Sequence, residues 1–377
     1  MRLLSTSHGT RKSVLSAVTC ISLAVFLASC GGGGSGSASG SSGDRRVRLV
    51  YATNANSNTV TTFSVNASTG ALTTVGSPVA TGNKPQSIVV HASGSLASIA
   101  NTVDGSVTNY SIQSSNGALT AVGTALKTGA GGGASGAYQV LQSQLGYVYV
   151  SNSGEATVNK YESVGGNLVS GTSVAAGTNP RALASGEAGS AVYVANNTTP
   201  GSLRSYTANN LGNLTAASTY TVGNNPSAVL VYGSFVYVAN SASGASSISG
   251  FSGGASTLAS TVGSPYSAGG LNQPSGLARY KSFLYAANYG TNTVSGYTIN
   301  ANGSLTALTG SPFVLPNASA RPLSIYAPAT GESLLYVGSE VSNDVTAFTV
   351  NANTGALTVV GSYATGGASV SAIASTF

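Results

Sequence analysis

One six-residue phrase returns seven times along the chain: LVYATN at Leu49–Asn54, LASIAN at Leu96–Asn101, YVYVSN at Tyr147–Asn152, AVYVAN at Ala191–Asn196, FVYVAN at Phe235–Asn240, FLYAAN at Phe283–Asn288 and LLYVGS at Leu334–Ser339. Successive copies lie about 44 to 51 residues apart. A period in the forties matches a four-stranded propeller blade and is too long for one coil of a β-helix. A unit of this kind cannot bury its apolar face alone, so its copies must stack against one another.

The remainder of each unit also reads as strand. A polar turn follows the Asn, then a run with period-two alternation such as Thr59–Val65 or Thr293–Ile299, the spacing a half-buried strand requires. A turn and Leu-Thr come next, as in Thr69–Thr73 (TGALT), Asn116–Thr120 (NGALT) and Thr354–Thr358 (TGALT). The last element is a strand led by proline: Pro85–Val90, Pro180–Ala184, Pro226–Leu230 and Pro274–Ala278. Proline is tolerated at a strand's first residue because no ladder donor is lost there. No segment after the leader has helical periodicity. The two ends are out of phase. The repeats begin at the LVYATN strand and finish at Ser371–Phe377, the last strand of a unit. The expected fold is therefore all-β: a seven-bladed β-propeller over residues 47–377 with four-stranded antiparallel blades. Its C-terminal strand completes the N-terminal blade, which removes exposed sheet edges.

The N-terminus is of another kind. Arg2, Arg11 and Lys12 precede a mostly apolar run from Val14 to Phe26. That run is shorter than the roughly 20 residues a membrane span needs, and it reads as a secretory signal over residues 1–29. Leu27-Ala28-Ser29-Cys30 resembles a bacterial lipobox, which implies cleavage before Cys30 and a lipid on its thiol. Residues 31–43 contain only Gly, Ser and one Ala, so residues 30–46 form a flexible tether. The expectation is an exported lipoprotein held by Cys30 to a membrane. Gly31 after the cysteine points to the outer membrane, in the manner of outer-membrane lipoproteins.

Composition narrows the chemistry. Charged residues make up 6% of the chain, against roughly 25% in an average soluble domain. Apolar residues make up 42%, enough for a core despite the low charge. The formal net charge is +6, but three of those charges belong to the leader and only Arg45, Arg46 and Arg48 cluster. A nucleic-acid reader needs a basic stripe, so no nucleic-acid partner is expected. There is no Trp, which weakens any sugar-stacking site. Outside the leader there is one histidine, His91, so no zinc site and no other metal site is expected. His91 reads as a surface-turn residue. Glu155, Glu340 and Asp344 follow the repeated phrase and read as solvated turn residues. The recurring Asn and Tyr positions serve the repeat. Gly131–Gly136 matches G-x-G-x-x-G but has no helix behind it, and no cofactor is expected.

The recurring phrase, together with Thr-Gly-x-Leu-Thr, Gly-Ser-Pro and Pro-x-x-Ile, resembles the YVTN-repeat or lactonase-like β-propeller family. The resemblance covers about residues 47–377. It implies the propeller fold and, more weakly, an activity like that of 6-phosphogluconolactonase. In enzymes of that family the Pro-led strand often begins Pro-Arg-His at the central channel. Here Pro180-Arg181 keeps the cation and Ala182 replaces the imidazole. One channel mouth is expected to gather Lys84, Gln86, Tyr138, Arg181 and Arg321 as a site for a small anionic or polar ligand. No catalytic residue is assigned. Three readings stay open: a monomeric envelope module that binds a protein or small anion, a lactone hydrolase, and a structural or adhesive surface protein.

Overall fold

The structure, a computed structural model, describes residues 48–129, 136–318, 321–328 and 332–376. All of them lie in the compact unit Arg46–Phe377. The signal segment, Cys30, the tether and residues 130–135 lie outside the described residues.

Seven antiparallel sheets form the blades. Blade 2 runs outward through Pro85–Val90, Leu96–Asn101, Ser106–Ile112 and Leu119–Lys127. Blades 3 to 7 repeat the order from innermost strands Ala137–Gln142, Pro180–Ser185, Pro226–Tyr232, Pro274–Tyr280 and Pro322–Tyr326. Blade 1 takes its innermost strand, Val370–Ser375, from the far end of the chain and continues with Leu49–Asn54, Thr59–Val65 and Leu72–Thr74. Val50 lies opposite Ser375 and Ala52 opposite Ile373. The ring thus closes as the phase of the repeats predicts. The innermost strands touch each other in succession around the axis, from Val370–Ser375 to Pro85–Val90 and so on to Pro322–Tyr326 and back.

The core is divided among the junctions between blades. Leu49 and Tyr51 pack with Ile88 and Ile99 of blade 2, while Val50 and Ala52 of the same strand pack with Tyr336 and Val345 of blade 7. The period-two alternation of the repeated phrase puts one apolar side chain on each neighbour in turn. At each of the other five junctions a comparable apolar cluster joins the two blades. Arg48 forks onto Glu332 across the seam between blades 1 and 7, with Nη1 2.8 Å from Oε2 and Nη2 2.6 Å from Oε1.

The recurring polar residues act within this packing. Asn54 donates through Nδ2 to the hydroxyls of Thr59 and Thr61, and Asn240 and Asn288 repeat the pattern on Ser247 with Ser249 and on Thr293 with Ser295. The Tyr51 hydroxyl donates to the Gly117 carbonyl of blade 2 at 3.0 Å. Tyr149, Tyr237 and Tyr285 reach Gly212, Gly303 and Gly355 of their following blades in the same way. Gly117 has φ +77°, and a Cβ there would collide with Leu49. Glycine is therefore required at this turn by both backbone conformation and close approach.

Candidate functional site

In all seven innermost strands the pairing slips near the start, leaving one residue unopposed. In blade 2, Pro85 lies opposite Asn101 and Ser87 opposite Ala100, so Gln86 is the extra residue. The equivalents are Tyr138, Arg181, Ser227, Ser275, Leu323 and Ser371. A bulge of this kind bends the strand and re-aims a side chain. All seven bulge residues line one cavity of about 500 Å³ on the propeller axis, a volume typical of small-molecule sites.

Three of the five residues expected at the channel mouth meet there: Gln86, Tyr138 and Arg181. The Arg181 guanidinium carbon sits 4.8 Å from the Tyr138 ring centroid, and Nη1 is 3.5 Å from the Tyr138 hydroxyl. Arg181 Nε is enclosed with no hydrogen-bond partner. The Arg181 carbonyl accepts from Ser151 Oγ at 2.8 Å, which fixes the strand start. Among the described residues, Arg181 is the one charged side chain in the lining, and no carboxylate or imidazole is part of it.

Lys84 and Arg321 are not brought into this cavity. Both precede an innermost strand, and both have left-handed backbones, with φ 58° and 46°. Asn179, Asn225, Gln273 and Ser369 hold the same conformation at the same position. The Lys84 N–H donates to Asn58 Oδ1 at 2.8 Å and the Arg321 N–H to Asn292 Oδ1 at 3.0 Å. These contacts hold the loop against the neighbouring blade and leave both side chains exposed. Arg321 instead lines an adjoining recess of about 490 Å³ with Tyr289, its guanidinium carbon 5.6 Å from that ring's centroid. Glu340, the hydrogen-bond acceptor for Tyr289, raises the Tyr289 pKa. Burial adds to this, and Arg321 opposes it.

Two other sequence expectations need correction. His91 is 5% exposed and not a surface-turn residue. Its Nε2 lies 2.8 Å from Ser98 Oγ, which donates to Asn109 Oδ1 at 2.7 Å. The serine has one proton to give, so His91 Nε2 is the donor in this pair and cannot act as a base toward Ser98. Ser98 stands where six blades carry the repeated tyrosine, and His91 and Asn109 pack beside the smaller side chain. Burial lowers the His91 pKa. Asp344 is also buried, at 6% exposure, and accepts from Ser342 Oγ at 2.8 Å. Glu155 is exposed, as expected.

Other lining residues came without a clear sequence signal. Asn197, Ser241 and Tyr289 immediately follow the fourth, fifth and sixth copies of the repeated phrase, and they line the same cavity. Their place one residue beyond a recurring asparagine was the available clue.

The family model described as lactonase, seven-bladed β-propeller, matches residues 42–135, 88–206 and 197–313. A Bacteroides fragilis protein proposed to be a 6-phosphogluconolactonase superposes with a TM-score of 0.72 at 15% identity, covering 89% of this chain and 99% of that one. The Pseudomonas aeruginosa periplasmic gluconolactonase gives 0.67 at 15%, covering 87% and 98%. Virginiamycin B lyase from Staphylococcus aureus gives 0.53 at 15%, covering 74% and 84%. At such identities the likeness is one of fold, and the fold carries both lactonase and lyase names. No curated protein matches the chain. With seven blades, a closed ring and a family model that spans most of its length, the chain belongs to the lactonase seven-bladed β-propeller family.

Proposed function

We propose that this protein is a binding module of the cell envelope whose axial cavity takes a small anionic ligand. The observation that carries this reading is the cavity's charge. Among the described residues Arg181 is its one ionic group, Nε has no partner, and no carboxylate in the lining neutralises it. A guanidinium so placed favours a carboxylate or similar anion. Lactone hydrolysis is the second reading, favoured by family membership and by the likeness to a periplasmic gluconolactonase. General-base catalysis needs a positioned acceptor, and the described residues of the lining include neither imidazole nor carboxylate.

One experiment separates the two. The purified protein is mixed with glucono-δ-lactone in a pH-stat, and its melting temperature is followed with butanoate and gluconate. The expected result is acid release at the buffer rate, with stabilisation by at least one anion that Arg181→Gln removes. Acid release well above the buffer rate that Arg181→Gln abolishes would replace the binding reading with the hydrolase.

The proposed setting is a lipid anchor on Cys30 and a Gly/Ser tether that lets the propeller stand off the outer membrane. A single acyl chain binds membranes weakly, and stable attachment needs more than one chain. A diacylated cysteine meets that condition. Cys30→Ser is therefore expected to move the protein from the membrane fraction to the soluble fraction. Retention of the variant on the membrane would refute the anchor.

A further inference from the structure

We propose that the ligand of the axial cavity is an amphiphilic monoanion: one carboxylate-like group at Arg181 and an unbranched apolar body reaching along the axis. This rests on the binding reading above and names the ligand class.

The first support is the state of the polar wall. Much of the lining is Ser, Asn and Gln, which suggests a sugar site, but most of these donors are already engaged by the ring itself. Ser371 Oγ donates to the Pro85 carbonyl at 2.6 Å, and Ser227 Oγ to the Pro274 carbonyl at 2.5 Å. Both bonds tie one innermost strand to the next. Ser241 Oγ donates to the Asn225 carbonyl at 2.7 Å and Asn197 Nδ2 to the Pro226 carbonyl at 2.9 Å. Gln139 is engaged at both ends by Leu183, accepting from its N–H at 2.7 Å and donating to its carbonyl at 3.3 Å. A serine has a single proton, so each such hydroxyl keeps only acceptor capacity toward a ligand.

The one charged donor for an anion among the described lining residues is therefore Arg181; the Gln86 and Gln273 amides, the Tyr138 phenol and the Ser324 hydroxyl, which has no partner, add neutral donors to the same lining. A guanidinium carries five N–H donors. Here one makes a 3.5 Å contact to Tyr138, and Nε makes none. That suits one anionic group. A phosphate carries close to two charges and three strong acceptor oxygens, and a single guanidinium offsets only one of those charges.

The second support is the layer next to the bulges. Two residues beyond six of the seven bulges, Ile88, Val140, Val229, Leu277, Ile325 and Ile373 line the same cavity; Leu183, beyond Arg181, does not. Leu323 adds a branched aliphatic side chain at the bulge position itself. Two residues of strand span about 7 Å, so the aliphatic layer lies within reach of a chain whose head is held at Arg181. Burying a polyol there would strand its hydroxyls against methyl groups, which is costly. Burying methylenes there is favourable.

The test is calorimetric titration of the intact protein with butanoate, hexanoate and octanoate, beside octanol, gluconate and 6-phosphogluconate. Affinity is expected to rise about fourfold per added methylene. Arg181→Gln is expected to weaken every carboxylate about tenfold or more while leaving octanol unchanged. Val229→Asn is expected to weaken octanoate and spare butanoate. The chain-length series and the octanol control need no variant, so they stand even if a variant folds poorly. A flat series, or 6-phosphogluconate binding more tightly than octanoate, overturns the proposal. If gluconate and the carboxylates then still bind through Arg181, the binding reading survives alone. If no anion depends on Arg181, both fall.

Discussion

Deleting residues 370–377 is expected to abolish the single cooperative unfolding transition of the propeller. The deleted strand supplies the innermost position of blade 1. Its side chains serve both adjoining junctions: Val370 and Ile373 pack with Tyr336 and Val345 toward blade 7, while Ala374 packs with Tyr51 and Ile88 toward blade 2. Burying Val370 and Ile373 contributes about 1.5–3 kcal/mol each. That is a large share of a typical stability of about 5–15 kcal/mol. The loss goes further, because Leu49–Asn54 then becomes an unpaired edge with fully buried side chains, and such an edge invites aggregation. Urea unfolding followed by circular dichroism reads this directly. The deletion should give a broad, early transition with oligomers on size exclusion. A truncated form with the midpoint and slope of the full chain would show that the ring does not depend on its closing strand.

Alkaline unfolding should be equally pronounced. Burial raises the pKa of Tyr110, Tyr149 and Tyr206 from 10.0 to about 12, and raises those of Tyr51, Tyr237, Tyr285, Tyr297 and Tyr336 further. The fold holds these protons more tightly than the open chain does. Their contribution is therefore fully present below pH 10, where unfolded tyrosine titrates, and is lost as pH rises through 10 toward 12. A shift of two pH units corresponds to about 2–3 kcal/mol per tyrosine. Several such residues acting together should overcome the stability of the ring. The expected observation is a tyrosinate absorbance that stays low past pH 10 and then rises in one step together with loss of the β-sheet signal. Gradual titration near pH 10 with the sheet signal intact would mean that these tyrosines are not sealed between the blades.

The same tyrosines explain why the repeat is so regular. Each fills an inter-blade junction, and four of them hydrogen-bond a turn carbonyl of the following blade. Tyrosine in the phrase and glycine in the Gly-x-Leu-Thr turn are thus two halves of one contact between adjacent units. Blade 2 departs from the rule at Ser98, and its buried His91–Ser98–Asn109 chain takes up that place with polar groups that satisfy one another.

The candidate site was only partly legible. Arg181, Gln86 and Tyr138 could be aligned across repeats because each falls one place after the start of an innermost strand. Lys84 and Arg321 each sit one place before the start of an innermost strand and two before its bulge residue, close enough to look equivalent. The left-handed backbone at these two residues directs them elsewhere, and no composition rule reveals that. The engagement of the serines was equally hidden, since a hydroxyl's partner on the next blade exists only once the ring has formed.

Strand number, blade number and closure were determined by the sequence alone, because a repeated period-two pattern has few ways to hide its apolar residues and the offset between its ends permits one completion. Which side chains face the axis, and which of their donors remain for a ligand, was decided by the tertiary structure. Both depend on a one-residue slip in strand pairing and on contacts between residues far apart in the chain, and neither leaves a periodic trace in the order of amino acids.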